Sequence, residues 1–154
     1  MKEKNTNSGL KIKVKDQTGN DISLSTLFGK LVVIYFYPKD NTPGCTKEAC
    51  SFRDSTNEFE KLGVTVIGVS ADSVDSHNKF AEKHNLNFPL WSDPDKKLLT
   101  AFGAVGEKSM FGRKYIGIKR MTFVLDKTGK LIKVWQKVKP ANHAQEVLDF
   151  IKTI

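Results

Sequence analysis

The sequence predicts an α/β fold in which helices cover both faces of a central sheet. Two continuous apolar runs rich in β-branched residues, 31–36 and 64–69, are typical of strands buried on both faces. Between them, apolar residues recur at helical spacing. This strand–helix–strand order favours parallel strands, and an antiparallel pair near the C-terminus makes the predicted sheet mixed. The 154 residues suffice for one domain, which we expect to span 1–154.

The first predicted element is an N-terminal β-hairpin. Leu10, Ile12 and Val14 alternate with lysines, as in a half-buried strand. Residues 16–21 are rich in turn formers, and the alternation resumes at 22–24. The central strand 31–36 follows, and it ends before the loop 38–44.

A long helix is predicted over 45–62. Positions 45, 49, 52, 56 and 59 advance by four and three residues along one face. Thr42 to Gly44 open the helix and Gly63 closes it. The second buried strand, 64–69, comes directly afterwards.

The remaining elements complete both layers around the sheet. They are a helix capped by Ser73 and ending at Asn85, an extended piece at 89–91, a short helix from 92–95 to Phe102, a long glycine-rich loop over 103–118, a hairpin of strands 121–125 and 131–135, and a last helix carrying Val147, Leu148 and Ile151.

The positive charge is concentrated in the second half of the chain. The formal net charge is +8, and Lys108 to Lys139 holds ten basic residues against Asp126 alone. Such a stripe is either a solvated face of alternating strands or a surface for nucleic acid, an acidic protein or an anion. Because the sequence has no nucleic-acid-binding motif, we favour the solvated face and expect no nucleic-acid partner.

Several other classes of protein are disfavoured by composition. The longest apolar run has seven residues, 31–37, whereas a membrane span needs about 20. Residues 1–8 are polar and do not resemble a secretory signal, so we expect a cytoplasmic protein without a membrane partner. Two cysteines and three scattered histidines do not match a structural zinc site, so we expect no metal.

Cys45 is the candidate nucleophile. It follows a central strand and stands in the first turn of the predicted helix, where α/β folds place ligands. Free backbone N–H groups and the positive end of the helix dipole stabilise a thiolate at such a position. The alternative is a buried, inert cysteine, which the polar surroundings of Cys45 disfavour.

Cys50 lies five residues further along the same helix. Five residues of ideal helix separate two Cα atoms by roughly 8.6 Å. A disulfide requires about 4.4–6.8 Å, so the two cysteines can bond only if the first turns unwind. Spacing alone leaves two interpretations of Cys50 open, a redox partner of Cys45 and a small apolar filler.

Segment 35–50 resembles the active-site signature of the peroxiredoxins. It reads Tyr-Phe-Tyr-Pro-Lys-Asp-Asn-Thr-Pro-Gly-Cys-Thr-Lys-Glu-Ala-Cys, and Pro38, Thr42 and Cys45 match the pattern Pro-x-x-x-Thr-x-x-Cys. The second cysteine is similar to that of the Q-type subgroup, also called bacterioferritin comigratory protein. The likeness extends over about residues 22–152. It departs at the N-terminus, where Ser-Gly-Leu-Lys-Ile-Lys replaces the usual Ala-Pro-x-Phe segment.

The resemblance implies a thioredoxin-like fold and reduction of hydrogen peroxide and organic hydroperoxides. Cys45 would attack the peroxide and become a sulfenic acid. Thr42 would align the peroxide by hydrogen bonds. Arg120 would supply a positive charge and donors to the thiolate and the departing oxygen.

The resemblance also implies roles for three further residues. Pro38 would shield the pocket, and Cys50 would resolve the sulfenic acid as an intramolecular disulfide that thioredoxin reduces. Glu48 would either orient Arg120 or remain a solvated helix carboxylate. The implied enzyme is a monomer that needs neither a metal nor an organic cofactor.

Two other functions fit the sequence less well than a peroxidase. A thiol–disulfide oxidoreductase on the same fold would have Cys-x-x-Cys, whereas this chain has four residues between its cysteines. A basic binding module with incidental cysteines would use the stripe between Lys108 and Lys139. A phosphate-binding P-loop is excluded, because segment 103–109 lacks the required spacing.

Overall fold

The structure is a computed structural model that describes residues 9–154, apart from the side chain of Met110. The polar segment 1–8 lies outside the described residues. The strands are β1 Val14–Asp16, β2 Asp21–Ile22, β3 Leu31–Phe36, β4 Val64–Ser70, β5 Leu90–Ser92, β6 Val105–Met110, β7 Arg113–Ile118, β8 Met121–Leu125 and β9 Leu131–Trp135. The helices are α1 Pro43–Lys61, α2 Val74–Lys83, α3 Lys97–Ala101 and α4 His143–Ile151, with short 3-10 helices at Leu24–Leu27 and Pro140–Asn142.

Within residues 9–154, seven strands form one mixed sheet, in the order β2-β1-β5-β4-β3-β8-β9. Strands β3, β4 and β5 are parallel, while β8 runs antiparallel to β3 and β9 antiparallel to β8. The predicted α/β class with a central mixed sheet is therefore confirmed. Strands β6 and β7 pair only with each other, in a separate two-stranded sheet.

Two apolar clusters lie on opposite faces of the sheet. Alternate residues of β3 divide between them: Val33 and Tyr35 belong to one cluster, Val32 and Ile34 to the other. The first cluster is covered by α1, α2 and α4, and the second by α3 and neighbouring loops. Because β3 is buried on both faces, its sequence is a continuous apolar run, as predicted.

Most element boundaries agree with the sequence to within a few residues. The N-terminal hairpin is present, but its first strand begins only at Val14, and 10–13 form a turn and an extended segment. Helix α1 begins at Pro43 and stops before Gly63, whose positive φ of 73° suits glycine. Ser73 caps α2 as predicted, accepting a hydrogen bond from the backbone N–H of Ser76.

The prediction of a long loop at 103–118 is wrong. This segment is the hairpin of β6 and β7, closed by a two-residue turn at Phe111 and Gly112. Both turn residues have positive φ, 53° and 78°, as in the tightest hairpin connections. Most of the hairpin is exposed, so it has no apolar alternation by which its strands could be detected.

Among the described residues, no helix combines the length and apolar character needed to cross a bilayer.

The aromatic cluster beneath α1 should contribute strongly to stability. Phe52 is fully buried, stacks on Tyr35 at 4.7 Å between ring centroids and contacts Phe59 and Phe88. We expect Phe52→Ala to lower the free energy of unfolding by about 3–5 kcal/mol, because it leaves a large cavity. Urea denaturation measures this loss. The matched control is Phe111→Ala, which removes a 97% exposed ring and should change stability by no more than about 0.5 kcal/mol. Equal losses in the two variants would contradict the assignment of the core.

Candidate active site

Cys45 lies in the first turn of α1, at the carboxyl end of central strand β3. Thr42 is the N-cap residue, and Pro43 occupies the first turn, where its missing N–H costs no hydrogen bond. The Cys45 side chain is 1% exposed and belongs to the cluster beneath α1. Because Cys45 is in the first turn, its thiol lies at the end of the helix whose backbone N–H groups have no partner within the helix, as the sequence predicted.

Arg120 reaches the thiol from the segment between β7 and β8. Its Nη2 donates a hydrogen bond to Cys45 Sγ at 3.2 Å. The sheet register explains the meeting, because Phe36 at the end of β3 pairs with Met121 at the start of β8. Gly44 leaves room for the guanidinium, since a Cβ there would stand 3.1 Å from Arg120 Nη2.

Glu48 holds the other side of the same guanidinium. Arg120 Nη1 donates to Glu48 Oε1 at 2.7 Å, and the Glu48 side chain is fully buried. The interpretation of Glu48 as a solvated carboxylate is thus wrong. The guanidinium forms a bridge whose two terminal nitrogens bond the thiol and the carboxylate separately.

Burial and charge act against each other in this cluster. Burial raises the pKa of Glu48 to about 7, against the opposing attraction of Arg120, and Glu48 Oε2 has no hydrogen-bond partner. Burial alone would lower the pKa of Arg120, but the charges of Glu48 and Cys45 raise it above its ordinary value. The guanidinium therefore stays a cation in a desolvated site.

The loop before α1 contains the other predicted site residues. Pro38 and Thr42 are half-buried on it. The Thr42 hydroxyl donates to the carbonyl of Lys39 at 2.9 Å and does not cap the helix with its side chain. Its oxygen retains the capacity to accept a hydrogen bond.

A buried polar network, which the sequence analysis did not identify, anchors this loop. Asp40 accepts from the hydroxyl of Tyr37 at 2.6 Å and from the hydroxyl of Ser76 at 2.8 Å. Its other contact is His77 Nδ1 at 2.7 Å, and the backbone N–H of Asp40 donates to Asp72. The loop before α1, the segment that follows β4 and helix α2 are thereby tied together.

The same network contains three residues, two aspartates and a histidine, whose side chains can bind metals. One ligand atom each of Asp40, Asp72 and His77 lies within 4.8 Å of the others. However, His77 is bonded through Nδ1 to Asp40 and lies 3.0 Å through Nε2 from the carbonyl of Trp91. These contacts already use both ring nitrogens, and they explain the cluster as a structural hydrogen-bond network.

Cys50 is not brought to Cys45. Both thiols are free, and both lie within the continuous helix α1, with Cys50 half-buried. Five residues of helix keep their Cα atoms roughly 8.6 Å apart, beyond disulfide range. Any bond between them requires the start of α1 to unwind.

Comparison with known proteins identifies a set of close relatives. Residues 7–134 match the AhpC/TSA family. Peroxiredoxin Bcp of Bacillus subtilis is 50% identical over 141 residues, which cover 92% of this chain and 90% of that protein. Peroxiredoxin Bcp of Escherichia coli K12 is 44% identical over 142 residues, covering 92% and 91%.

Solved structures show the same likeness. The structure of Xanthomonas campestris Peroxiredoxin Q has a TM-score of 0.91 at 42% identity and covers 96% of this chain and 93% of its own. A bacterioferritin comigratory protein of the same organism, described for its alkyl peroxide reduction activity, has a TM-score of 0.91 at 41% identity and covers 96% and 94%. The thioredoxin-like fold that the sequence implied is thereby confirmed.

The ionisation of Glu48 should make stability depend on pH. Because burial raises its pKa from about 4.5 to about 7, the folded protein binds more protons than the unfolded chain between these values. We expect the free energy of unfolding to fall relative to that of Glu48→Gln as pH rises from about 4.5 to about 7, by an amount on the order of 3 kcal/mol, and to level off above 7. Urea titrations of both proteins across this range measure the difference. Parallel pH profiles would contradict the assigned ionisation.

Proposed function

Since the chain belongs to the AhpC/TSA family and is a peroxiredoxin with thiol peroxidase activity, we propose that Cys45 is its peroxidatic cysteine, that Cys50 resolves the oxidised form within the same chain, and that thioredoxin reduces the product. The observation that supports this assignment most directly is the 3.2 Å contact between Arg120 Nη2 and Cys45 Sγ. A guanidinium stabilises the thiolate that attacks a peroxide.

In the first step, the Cys45 thiolate attacks one oxygen of hydrogen peroxide or an organic hydroperoxide. The S–O bond forms as the O–O bond breaks, giving a sulfenic acid, while the departing oxygen takes up a proton and leaves as water or an alcohol. Arg120 donates hydrogen bonds to the sulfur and to the departing oxygen. Thr42 accepts a hydrogen bond from the peroxide, and Pro38 shields the pocket from water.

Glu48 acts through Arg120 as a positioning residue. The guanidinium plane is fixed because Glu48 Oε1 holds Nη1 at 2.7 Å while Nη2 faces the sulfur. Arginine suits this place because its rigid fork can bond two acceptors at once.

The second step joins the two cysteines. The Cys50 thiolate attacks the sulfenic sulfur, the disulfide forms and hydroxide leaves, becoming water once protonated. This step needs the first turns of α1 to unwind, since the intact helix keeps the thiols apart. Thioredoxin then restores both thiols by exchange with its own dithiol.

One chain supplies every protein group of the first two steps, so we propose a monomeric enzyme. The cycle begins from two free thiols, Cys45 and Cys50. A reducing compartment such as the cytoplasm maintains them in that state.

The roles of the two cysteines can be separated by substitution. We expect Cys45→Ser to consume no peroxide, because the nucleophile is gone. The matched variant Cys50→Ser should consume peroxide for a single turnover and then stall with thioredoxin, because no disulfide forms. Peroxide consumption and mass spectrometry of the oxidised chains measure both effects. Sustained peroxidase turnover by Cys45→Ser would refute the proposed function.

The contribution of Arg120 should be visible in the oxidation step alone. We expect Arg120→Met to slow Cys45 oxidation by about 10²-fold or more, in line with the loss of one transition-state donor. Stopped-flow measurement of Cys45 oxidation tests this. Arg113→Met, which removes an exposed arginine from β7, serves as the control and should leave the rate unchanged. An unaltered rate in Arg120→Met would retire the role assigned to the guanidinium.

A further inference from the structure

The β6–β7 hairpin of the described chain stands apart from the main sheet. It lies outside the seven-stranded sheet, and residues 111–116 are all exposed. A two-stranded hairpin alone is marginally stable in water. This hairpin therefore makes little contribution to the core. Stability of the fold does not explain why it projects from the main sheet.

The residue at the tip of the hairpin, Phe111, has an unfavourable backbone conformation and an exposed aromatic side chain. Phe111 is 97% exposed and occupies the first position of a two-residue turn with a φ of 53°. Asparagine is favoured there, whereas a bulky side chain is strained at positive φ. Phe111 thus costs conformational energy and leaves an aromatic ring in water, with no compensating contact in the fold. A ring in this setting is suited to contact another molecule.

Basic side chains lie along the whole hairpin. Lys108 and Lys119 are near its root, where Lys108 Nζ donates to the carbonyl of Ile118 at 2.7 Å, and Arg113 stands beside the tip. Lys108 and Tyr115 lie over Gly117, and Lys119 lies over Gly106 on the paired strand. Arg113 and Lys114 follow the turn, while the hairpin holds a single acidic residue, Glu107. Exposed Ile116 and Tyr115 extend the apolar surface along β7. Such a pattern complements a protein surface that has an acidic rim and an apolar centre.

The root of the hairpin adjoins the active site. Strand β7 ends at Ile118, two residues before Arg120, and the backbone N–H of Lys119 is bonded to the carbonyl of Ala104 at 2.6 Å. Six-residue strands extend about 20 Å from this root. A domain of about 100 residues has a radius of gyration near 13 Å, so it can contact the tip and the cysteines together.

We propose that the β6–β7 hairpin is the docking arm for the protein reductant, whose acidic surface binds the basic strands and whose apolar patch receives Phe111. This inference rests on the proposed function in one respect, that a thioredoxin supplies the electrons. Docking by the arm would bring the partner's dithiol to the Cys45–Cys50 disulfide without any contribution to the peroxide step.

The test separates docking from chemistry. A double variant, Cys45→Ser with Cys50→Ser, removes the redox reaction and leaves the arm intact. Fluorescence anisotropy measures the binding of a labelled, reduced thioredoxin of net negative charge to this protein. Phe111→Asn or Arg113→Glu, each introduced into the double cysteine variant, should weaken its binding to thioredoxin by about fivefold or more. This is the size expected for a residue that contributes to binding at an interface. The effect of Arg113→Glu should shrink at high salt.

Phe111→Asn is informative because it does not damage the fold. Asparagine is the favoured residue at this turn position, so the hairpin should be at least as stable as before. The matched controls are Ile154→Asn, which removes another exposed apolar side chain, and Lys11→Glu, which reverses a charge far along the chain from the arm. Both should leave the dissociation constant unchanged.

Three outcomes would overturn the docking arm. Proteins with Phe111→Asn or Arg113→Glu added could bind thioredoxin as tightly as the double cysteine variant that lacks these changes. Alternatively, that double cysteine variant, the parent, could fail to bind thioredoxin at all. The parent could also sediment with phosphatidylglycerol vesicles through Phe111 while ignoring thioredoxin, which would make the arm a membrane contact. Peroxide consumption by the wild-type chain at saturating thioredoxin distinguishes these outcomes from failure of the proposed function, since thioredoxin that docks elsewhere would still sustain turnover.

Discussion

The contact between Arg120 and Cys45 is the interaction on which the chemistry of this protein depends. It joins residues 75 positions apart, and the fold achieves this through two neighbouring strands. Strand β3 ends before the loop that leads to Cys45, and antiparallel β8 starts just after Arg120. The guanidinium is shared with Glu48, so two potential anions compete for one half-buried cation. Because burial holds the pKa of Glu48 near 7, protonation of that carboxyl near neutrality leaves more of the positive charge for the sulfur.

The start of α1 must satisfy two opposing demands. It has to present Cys45 at the helix terminus, and in the proposed cycle it has to unwind so that Cys50 can reach it. The structure confines that change to a short segment. On one side Asp40 is tied by its buried network, and on the other Phe52 is locked among aromatic rings. Pro43 and Gly44 lie between these anchors, and both residue types are weak helix formers.

Local sequence pattern predicted the elements that local forces determine. The strands β3 and β4 and the buried face of α1 were detectable because continuous or periodic apolar residues specify them. Contacts between distant segments could not be detected from local pattern. Nothing in the neighbourhood of Asp40 or His77 indicates that they meet, since their pairing arises from the packing of α2 beside β4. For Glu48, the sequence left open both an orienting role toward Arg120 and a solvated helix carboxylate, and only the contact with Arg120 decides between them. The β6–β7 hairpin escaped detection because exposed strands need no apolar alternation.

The basic stripe from Lys108 to Lys139 is continuous in sequence, but the fold distributes it over different structural elements. Part of it lies on β9, the edge strand of the sheet, where a lysine discourages pairing with another chain. There Lys133 also stands over the rings of Trp135 and Phe150, at 5.4 and 5.6 Å, so its charge already has a structural role. Lys133, the one lysine of β9, is thus explained as part of a solvated edge. The basic residues of the β6–β7 hairpin protect no edge of the main sheet, and they flank an exposed aromatic ring. Within the stripe, the hairpin is therefore where basic residues and an exposed aromatic ring occur together near Arg120.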